Sequence, residues 1–218
     1  MYSDQDMEPR TPRDVSTPGV FKILDNGEPS AKLTKPFDAL TALTSGAPFW
    51  IAGGALTSIF TDDKVNDWDL FSFNPPHLIS GLLKSGAKIV FDNSHVTNFK
   101  HDSIDQIIQV IKTPFETPLI TCQTIDLTIC AIAYDGLKLY VHEDFIDDIE
   151  QNKIGLNCVL HPFSTLKRVI KYSQRGYDLH RDVLVTLVDM IRHSRVDVMD
   201  ETLFYLEDPA DRKVDERD

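Results

Sequence analysis

Asp67 and Asp69, one residue apart in Asn66-Asp67-Trp68-Asp69-Leu70-Phe71, are the residues of this chain whose spacing could most directly do chemistry. Side chains alternate across a strand, so both carboxylates share one face while Trp68 and Leu70 take the other. Two like charges side by side favour a divalent cation between them. Just upstream, Phe49-Trp50-Ile51-Ala52-Gly53-Gly54-Ala55-Leu56 reads as a strand, a glycine turn and the start of a helix. Such a turn offers backbone N–H groups and the positive end of a helix, which suit a phosphate chain. Gly53 and Gly54, with the hydroxyls of Thr57 and Ser58, are therefore candidate phosphate contacts, and Asp67 and Asp69 candidate metal ligands. Hard oxygen donors beside a phosphate chain point to Mg²⁺ or Mn²⁺ and a nucleoside triphosphate.

The elements that must position these residues are legible in outline. Residues 1–33 carry Pro9, Pro12, Pro18 and Pro29 among polar residues and read as a flexible arm. A mixed α/β head follows over 34–145, a small helical domain over 146–206 and an acidic tail over 207–218. In the head, Thr34-Lys35-Pro36 opens a helix that stops at Gly46. The strand 49–52, a helix over 54–60 and the carboxylate strand 68–73 come next. Asn74-Pro75-Pro76 starts a helix ending at Ser85-Gly86, and strands are predicted over 88–91, 96–100 and 104–111. Thr113-Pro114-Phe115-Glu116 has the capping-box pattern and predicts a helix over 114–122. A strand over 125–134 then turns at Asp135-Gly136 into a partner over 137–141. From Ser164 onward apolar residues recur at three-and-four spacing, the mark of helices.

That last long strand contains one charge, Asp126, in an otherwise apolar run. A buried carboxylate is costly, so Asp126 must lie near an edge, accept hydrogen bonds or bind a cation. Lys167, Arg168, Lys171 and Arg175 recur at helical spacing and share a face in the tail. That face either meets a triphosphate or a nucleic-acid end, or pairs with the acidic stretch 144–150.

Composition sets the outer limits. The 218 residues are 42% hydrophobic, enough for a sizeable core, and the net charge of −12 excludes a protein that coats long nucleic acid. Any contact with an RNA end is local. There is no uninterrupted apolar run of membrane-spanning length and no secretory leader pattern, which predicts a protein of the cytosol, with no membrane contact. Cys122, Cys130 and Cys158 lack C-x-x-C spacing and read as reduced, buried thiols. The histidines show no metal-ligand spacing, and neither a P-loop nor a Ser-His-Asp set is present.

Taken in order, the strand entering Gly53-Gly54, the helix, and Asp67-Trp68-Asp69-Leu70 resemble the signature of the polymerase-β-like nucleotidyltransferase superfamily. The run from Ser164 to Tyr177 resembles the basic helix behind the head of tRNA CCA-adding enzymes and bacterial poly(A) polymerases. The layout is also similar to nucleotidyltransferase-like proteins of phages and large DNA viruses. This resemblance implies an α+β fold: a nucleotidyltransferase-type mixed sheet flanked by helices, with a small C-terminal helical domain. It further implies metal-dependent transfer of a nucleotide to a hydroxyl of an RNA, a protein or a small molecule. Asp126 is the match for a third catalytic, metal-binding carboxylate beside Asp67 and Asp69, and Lys167, Arg168, Lys171 and Arg175 for nucleotide-binding cations. The sequence departs from the CCA-adding pattern in having Ala55-Leu56-Thr57-Ser58 after the glycine pair and no Glu-Asp-x-x-Arg base-selecting motif, so the acceptor does not carry over. The alternative is a silent nucleotidyltransferase fold that binds a protein partner.

Overall fold

In the computed structural model, which describes residues 18–25 and 28–193, the β-branched and aromatic runs join in one eight-stranded mixed sheet. Its strands in chain order are β1 (Phe21–Asp25), β2 (Trp50–Ala52), β3 (Asp67–Phe71), β4 (Lys88–Asp92), β5 (Val96–His101), β6 (Ile104–Ile111), β7 (Ile132–Tyr134) and β8 (Lys138–His142). Across the sheet the order is β1-β8-β7-β2-β3-β6-β5-β4. Neighbours are antiparallel except β3 and β6, whose parallel pairing requires a long crossover. The helices are α1 (Glu28–Leu43), α2 (Gly54–Phe60), α3 (Pro75–Lys84), α4 (Pro118–Thr124), α5 (Phe145–Glu150), α6 (Pro162–Gln174) and α7 (Arg181–His193). Two short strands, β9 (Lys153–Ile154) and β10 (Asp178–Leu179), pair in parallel beside them. This is the α+β arrangement with a mixed sheet flanked by helices. No described helix is long and apolar enough to cross a membrane.

One sheet face closes over the main core. Trp68, Leu70, Phe99, Ile108 and Val110 pack there with Leu40 of α1, Leu56 of α2 and Leu78 and Leu82 of α3. A second core joins Leu127, Ile129 and Cys130, just ahead of β7, to Val169 and Tyr172 of α6 and Val183 and Leu187 of α7. The terminal helices thus share their apolar interior with residues that lead into the sheet. Trp50 belongs to a third cluster with Ala52, Cys122 and Ala133, and its indole N–H donates to Thr121 Oγ1 at 2.9 Å.

Several boundaries differ from the sequence expectation for identifiable reasons. The arm expected over 1–33 is already ordered at Phe21, where β1 adds an antiparallel edge to β8, and α1 starts at Glu28 rather than at Thr34. Pro29 supplies the first-turn proline, and Pro36 is carried inside the helix at the loss of one backbone bond. The helix expected over 114–122 begins four residues later, because Thr117-Pro118 repeats the Thr-Pro signal and Thr117 Oγ1 accepts from the Ile120 N–H at 3.2 Å. The long strand over 125–134 is a strand only from Ile132, and Thr128–Cys130 forms a 3₁₀ turn instead. The expected helical domain also includes β9 and β10. Residues 1–17, the last stretch of that domain and the acidic tail at 207–218 lie outside the described residues.

The helical layer meets at one close approach. A Cβ on Gly81 of α3 would collide with the Thr44 backbone carbonyl at the end of α1. Alanine at a helix interior ordinarily gains about 1 kcal/mol over glycine. Here overpacking of roughly 1–3 kcal/mol or more opposes it. Gly81→Ala is expected to lower the melting temperature by several degrees, whereas at an unobstructed helix position the same change raises it; a thermal melt distinguishes the two.

Candidate functional site

The β3 strand places its carboxylates as alternation requires. Trp68 and Leu70 are 5% and 0% exposed and lock into the main core, and Asp67, Asp69 and Phe71 line the opposite face, each half-buried. Burying a Trp and a Leu is worth several kcal/mol, so a one-residue slip that turned the aspartates inward is excluded. Antiparallel to β3, β2 ends at Gly53, whose φ of 84° and ψ of −147° only glycine adopts without strain. A Cβ at Gly53 would lie 3.9 Å from Asp69 Oδ2, so the glycine turn and the carboxylate are neighbours. The antiparallel pairing of β2 with β3 is what sets the two side by side.

The glycine turn itself is more committed than expected. The Gly53 N–H donates to the Ile132 carbonyl at 3.0 Å. Thr57 is buried, its hydroxyl donating to the Ile129 carbonyl at 2.7 Å, and Ser58 is buried on the same short helix. Thr57 is thus a core bond that ties α2 to the 3₁₀ turn rather than a phosphate contact. Above the turn sits a residue that sequence reasoning did not single out, Tyr172 of α6. A Cβ on Gly54 would lie 3.1 Å from the Tyr172 hydroxyl, which receives the Cys130 thiol at 3.0 Å. Burial pushes the Cys130 thiol up to about 11 and drives the Tyr172 phenol above its ordinary range, so both remain protonated at neutral pH. The glycine at 54 is needed for this approach of α6 to the turn. The helical periodicity of the tail marks position 172 as apolar-facing but gives no sign that its hydroxyl reaches the turn.

Asp126 requires a correction. It lies in the loop after α4, not on a strand beside Asp67 and Asp69, and it is buried. Its Oδ2 accepts from Thr165 Oγ1 at 2.6 Å and from Arg168 Nε and Nη2, both at 2.9 Å. A buried carboxylate was expected to need a partner, and the fold supplies a cation and a hydroxyl from one face of α6. Among the described residues no group of three or more His, Cys, Asp or Glu side chains gathers as a metal site. The parallel neighbours of Asp67 and Asp69 on β6 are Ile107 and Gln109, so no carboxylate stands in register there either.

The four tail cations separate in role. Arg168 holds Asp126, and the Arg175 guanidinium lies 5.3 Å from the Tyr172 ring centroid as a cation–π pair. Lys167 and Lys171 are exposed on α6. In the acidic stretch 144–150, Asp148 bonds instead to Thr128 Oγ1 and, at 2.8 Å, to His180 Nε2. Burial raises the Asp148 carboxyl above its usual range. All three cysteines are free and buried, as expected.

A carboxylate strand beside a strand–glycine–helix turn, set in this sheet order, defines the polymerase-β-like nucleotidyltransferase fold. A CCA-adding enzyme solved with ATP superposes with a TM-score of 0.61 at 16% identity over 78% of this chain and 46% of the enzyme. The Thermotoga maritima CCA-adding enzyme solved with tRNA superposes with a TM-score of 0.58 at 17% identity over 78% and 46%. Within that fold, a sequence model of the Gabija anti-defense 2 family matches residues 24–152, and the chain belongs to this family. A Gabija anti-defense 2 protein of Bacillus phage SPbetaL7 is 28% identical over 145 residues, which are 63% of this chain and 36% of that protein. The chain therefore spans about a third of the length of that phage relative and under half that of the CCA-adding enzymes.

Two predictions follow from the geometry around α6. Asp126→Asn removes charge-assisted bonds worth roughly 1.5–3 kcal/mol each in buried sites, reduced because Arg168 is half exposed. A fall in melting temperature of about 4–8 °C is expected, with any Mn²⁺-dependent nucleotide response retained, as read by melts with and without Mn²⁺ and ATP. Gly54→Ala presses on the Tyr172 hydroxyl and should lower the melting temperature by a few degrees. In a double-mutant cycle with Tyr172→Phe the combined loss should be smaller than the sum of the single losses.

Proposed function

We propose that this chain is a metal-dependent nucleotidyltransferase head that moves a nucleotide from a nucleoside triphosphate to a hydroxyl acceptor, in the cytosol of a phage-infected cell, as the chemical basis of anti-defence. The observation that carries this reading is the pair Asp67 and Asp69 on one face of β3 with Asp69 against the Gly53 turn. Mg²⁺ is commonly held by one or two carboxylates with the remaining positions filled by water and substrate phosphates, and this donor set fits that pattern without a third carboxylate. Asp67 and Asp69 would hold the ion, which when bound neutralises phosphate charge and orients the triphosphate. At Gly53 the absence of a Cβ leaves room beside Asp69 for the phosphate chain, the space over Gly54 being taken by the Tyr172 hydroxyl. Lys167 and Lys171, exposed one turn apart on α6, would add positive charge toward the triphosphate. Relatives described as complexes with ATP and CTP, though similar only in fold, support a nucleoside triphosphate as the donor.

A second reading, in which the fold binds a protein of the defence system without chemistry, is favoured by the commitment of Asp126 to Arg168. The two are separated by one comparison. Wild type is expected to show a Mg²⁺- or Mn²⁺-dependent rise in melting temperature with at least one nucleoside triphosphate. Asp67→Ala/Asp69→Ala is expected to fold, because it relieves a like-charge repulsion, and to show no such rise. In an assay with α-labelled nucleotide and extract of the host cell, the double variant should transfer label at least 100-fold less. A cooperative melt of wild type unmoved by any of the four nucleotides would leave the protein-binding reading standing.

A further inference from the structure

The sheet face that carries Asp67 and Asp69 continues past them, away from the glycine turn. Strand register links Asp69 to Gln109 on β6 and Gln109 to Asn98 on β5, and Asn98 in turn to Phe91 on β4. Paired residues point the same way, so Asp69, Gln109, Asn98 and Phe91 form one row on one face. Asn98 is 1% exposed, yet its Oδ1 has no hydrogen-bond partner. A buried carbonyl oxygen left unmade costs roughly 1–3 kcal/mol, and this one stands in the row that begins at the candidate metal ligand. Two strand spacings of about 4.8 Å separate it from Asp69, a distance that one nucleotide bridges. Two pairs along the strands, and so on the same face, Lys88 and Lys100 stand opposite each other across β4 and β5, both exposed. Like charges directly opposite are unfavourable unless an anion lies between them. Asp105, also exposed, lies on the same face toward the start of β6.

Resting on the nucleotidyltransferase reading above, we propose that this row is the acceptor subsite, and that it receives the end of a single-stranded polynucleotide, with Gln109 and Asn98 as positioning residues. In nucleotidyl transfer the acceptor oxygen bonds to the α-phosphorus as the α–β bridging bond breaks. Pyrophosphate leaves with the bonding electrons, and the hydroxyl proton passes to solvent. The attacking and leaving oxygens stand roughly in line. With the leaving phosphates on the β2 side, at the glycine turn, the acceptor must come from the β6 side. The groups on that side suit a nucleotide. Amide side chains pair with base edges, Phe91 gives a stacking surface, and Lys88 and Lys100 meet a backbone phosphate. A footprint of one or two nucleotides is also what a net charge of −12 permits.

The test uses the full chain with 5′-fluorescein ten-nucleotide RNA and DNA of mixed sequence, followed by anisotropy at low salt, with a melt in Mn²⁺ and ATP run on every variant. Wild type is expected to bind one or both oligonucleotides, and the two arms decide between ribose and deoxyribose ends. Lys88→Glu/Lys100→Glu and, separately, Asn98→Ala should weaken that binding at least tenfold while leaving the ATP response unchanged. A melting temperature lowered by Asn98→Ala with oligonucleotide binding unchanged would mark a purely structural asparagine and overturn its positioning role. Should Asn98→Ala fail to fold, Gln109→Ala at its half-exposed neighbour carries the same expectation. Wild type that responds to ATP but binds neither oligonucleotide overturns the acceptor subsite alone, as do variants that bind like wild type. Wild type with no ATP response overturns the nucleotidyltransferase reading on which it rests.

Discussion

The arrangement of this protein depends on the alternation of β3. Trp68 and Leu70 are held in the main core by the helices α1, α2 and α3 on one side of the sheet, and that anchoring is what forces Asp67 and Asp69 to stand together on the other. A strand interior can tolerate two neighbouring carboxylates on a face only where that face is open to water or to a cation, and the half-buried state of both residues is consistent with such a face. The parallel pairing of β3 with β6 carries the same alternation outward, so that Gln109 and Asn98 continue the row that Asp69 begins. Core packing on one face therefore sets the chemistry available on the other.

The helices after the sheet are bound to it by polar contacts as well as by apolar ones. Arg168 and Thr165 converge on Asp126, and Tyr172 spans from the Cys130 thiol to the edge of the glycine turn. Each of these contacts joins α6 to a segment that leads into β7 or α2. A polar group buried at such a junction is costly unless it is fully matched, and the matching gives the junction one preferred geometry. The glycine turn is held from beneath by the Thr57 hydroxyl and from above by Tyr172. Its shape is thereby fixed within the fold itself.

The relation to CCA-adding enzymes extends to the fold and the order of its parts at 16–17% identity. The chain belongs to the Gabija anti-defense 2 family, in which a Bacillus phage protein is a relative at 28% identity. A shared fold does not transmit a substrate; that is a property of side chains. Asp126 and Thr57, expected at the site, are engaged in internal support instead, together with Tyr172, which the spacing did not single out. Asp67 and Asp69 stand half-buried on the outer face of β3, and Lys167 and Lys171 are exposed on α6.

By itself the sequence determined the local parts: the strand with two carboxylates, the glycine turn before a helix, the hairpin at Asp135-Gly136, and the amphipathic helices α6 and α7. These follow from alternation, glycine's backbone freedom and three-and-four periodicity, which act over a few residues and leave their mark in the spacing. The strand character of β1 and the loop around Asp126 were decided by tertiary structure, because each depends on a partner distant in sequence, whereas the start of α4 at Pro118 rests on the local Thr117 cap. β1 exists through β8, and Asp126 is drawn out of a strand by Arg168, 42 residues away. The same holds for the row from Asp69 through Gln109 to Asn98. No spacing rule links positions 69, 109 and 98, and only the parallel register of β3 with β6 together with the antiparallel register of β6 with β5 sets them side by side.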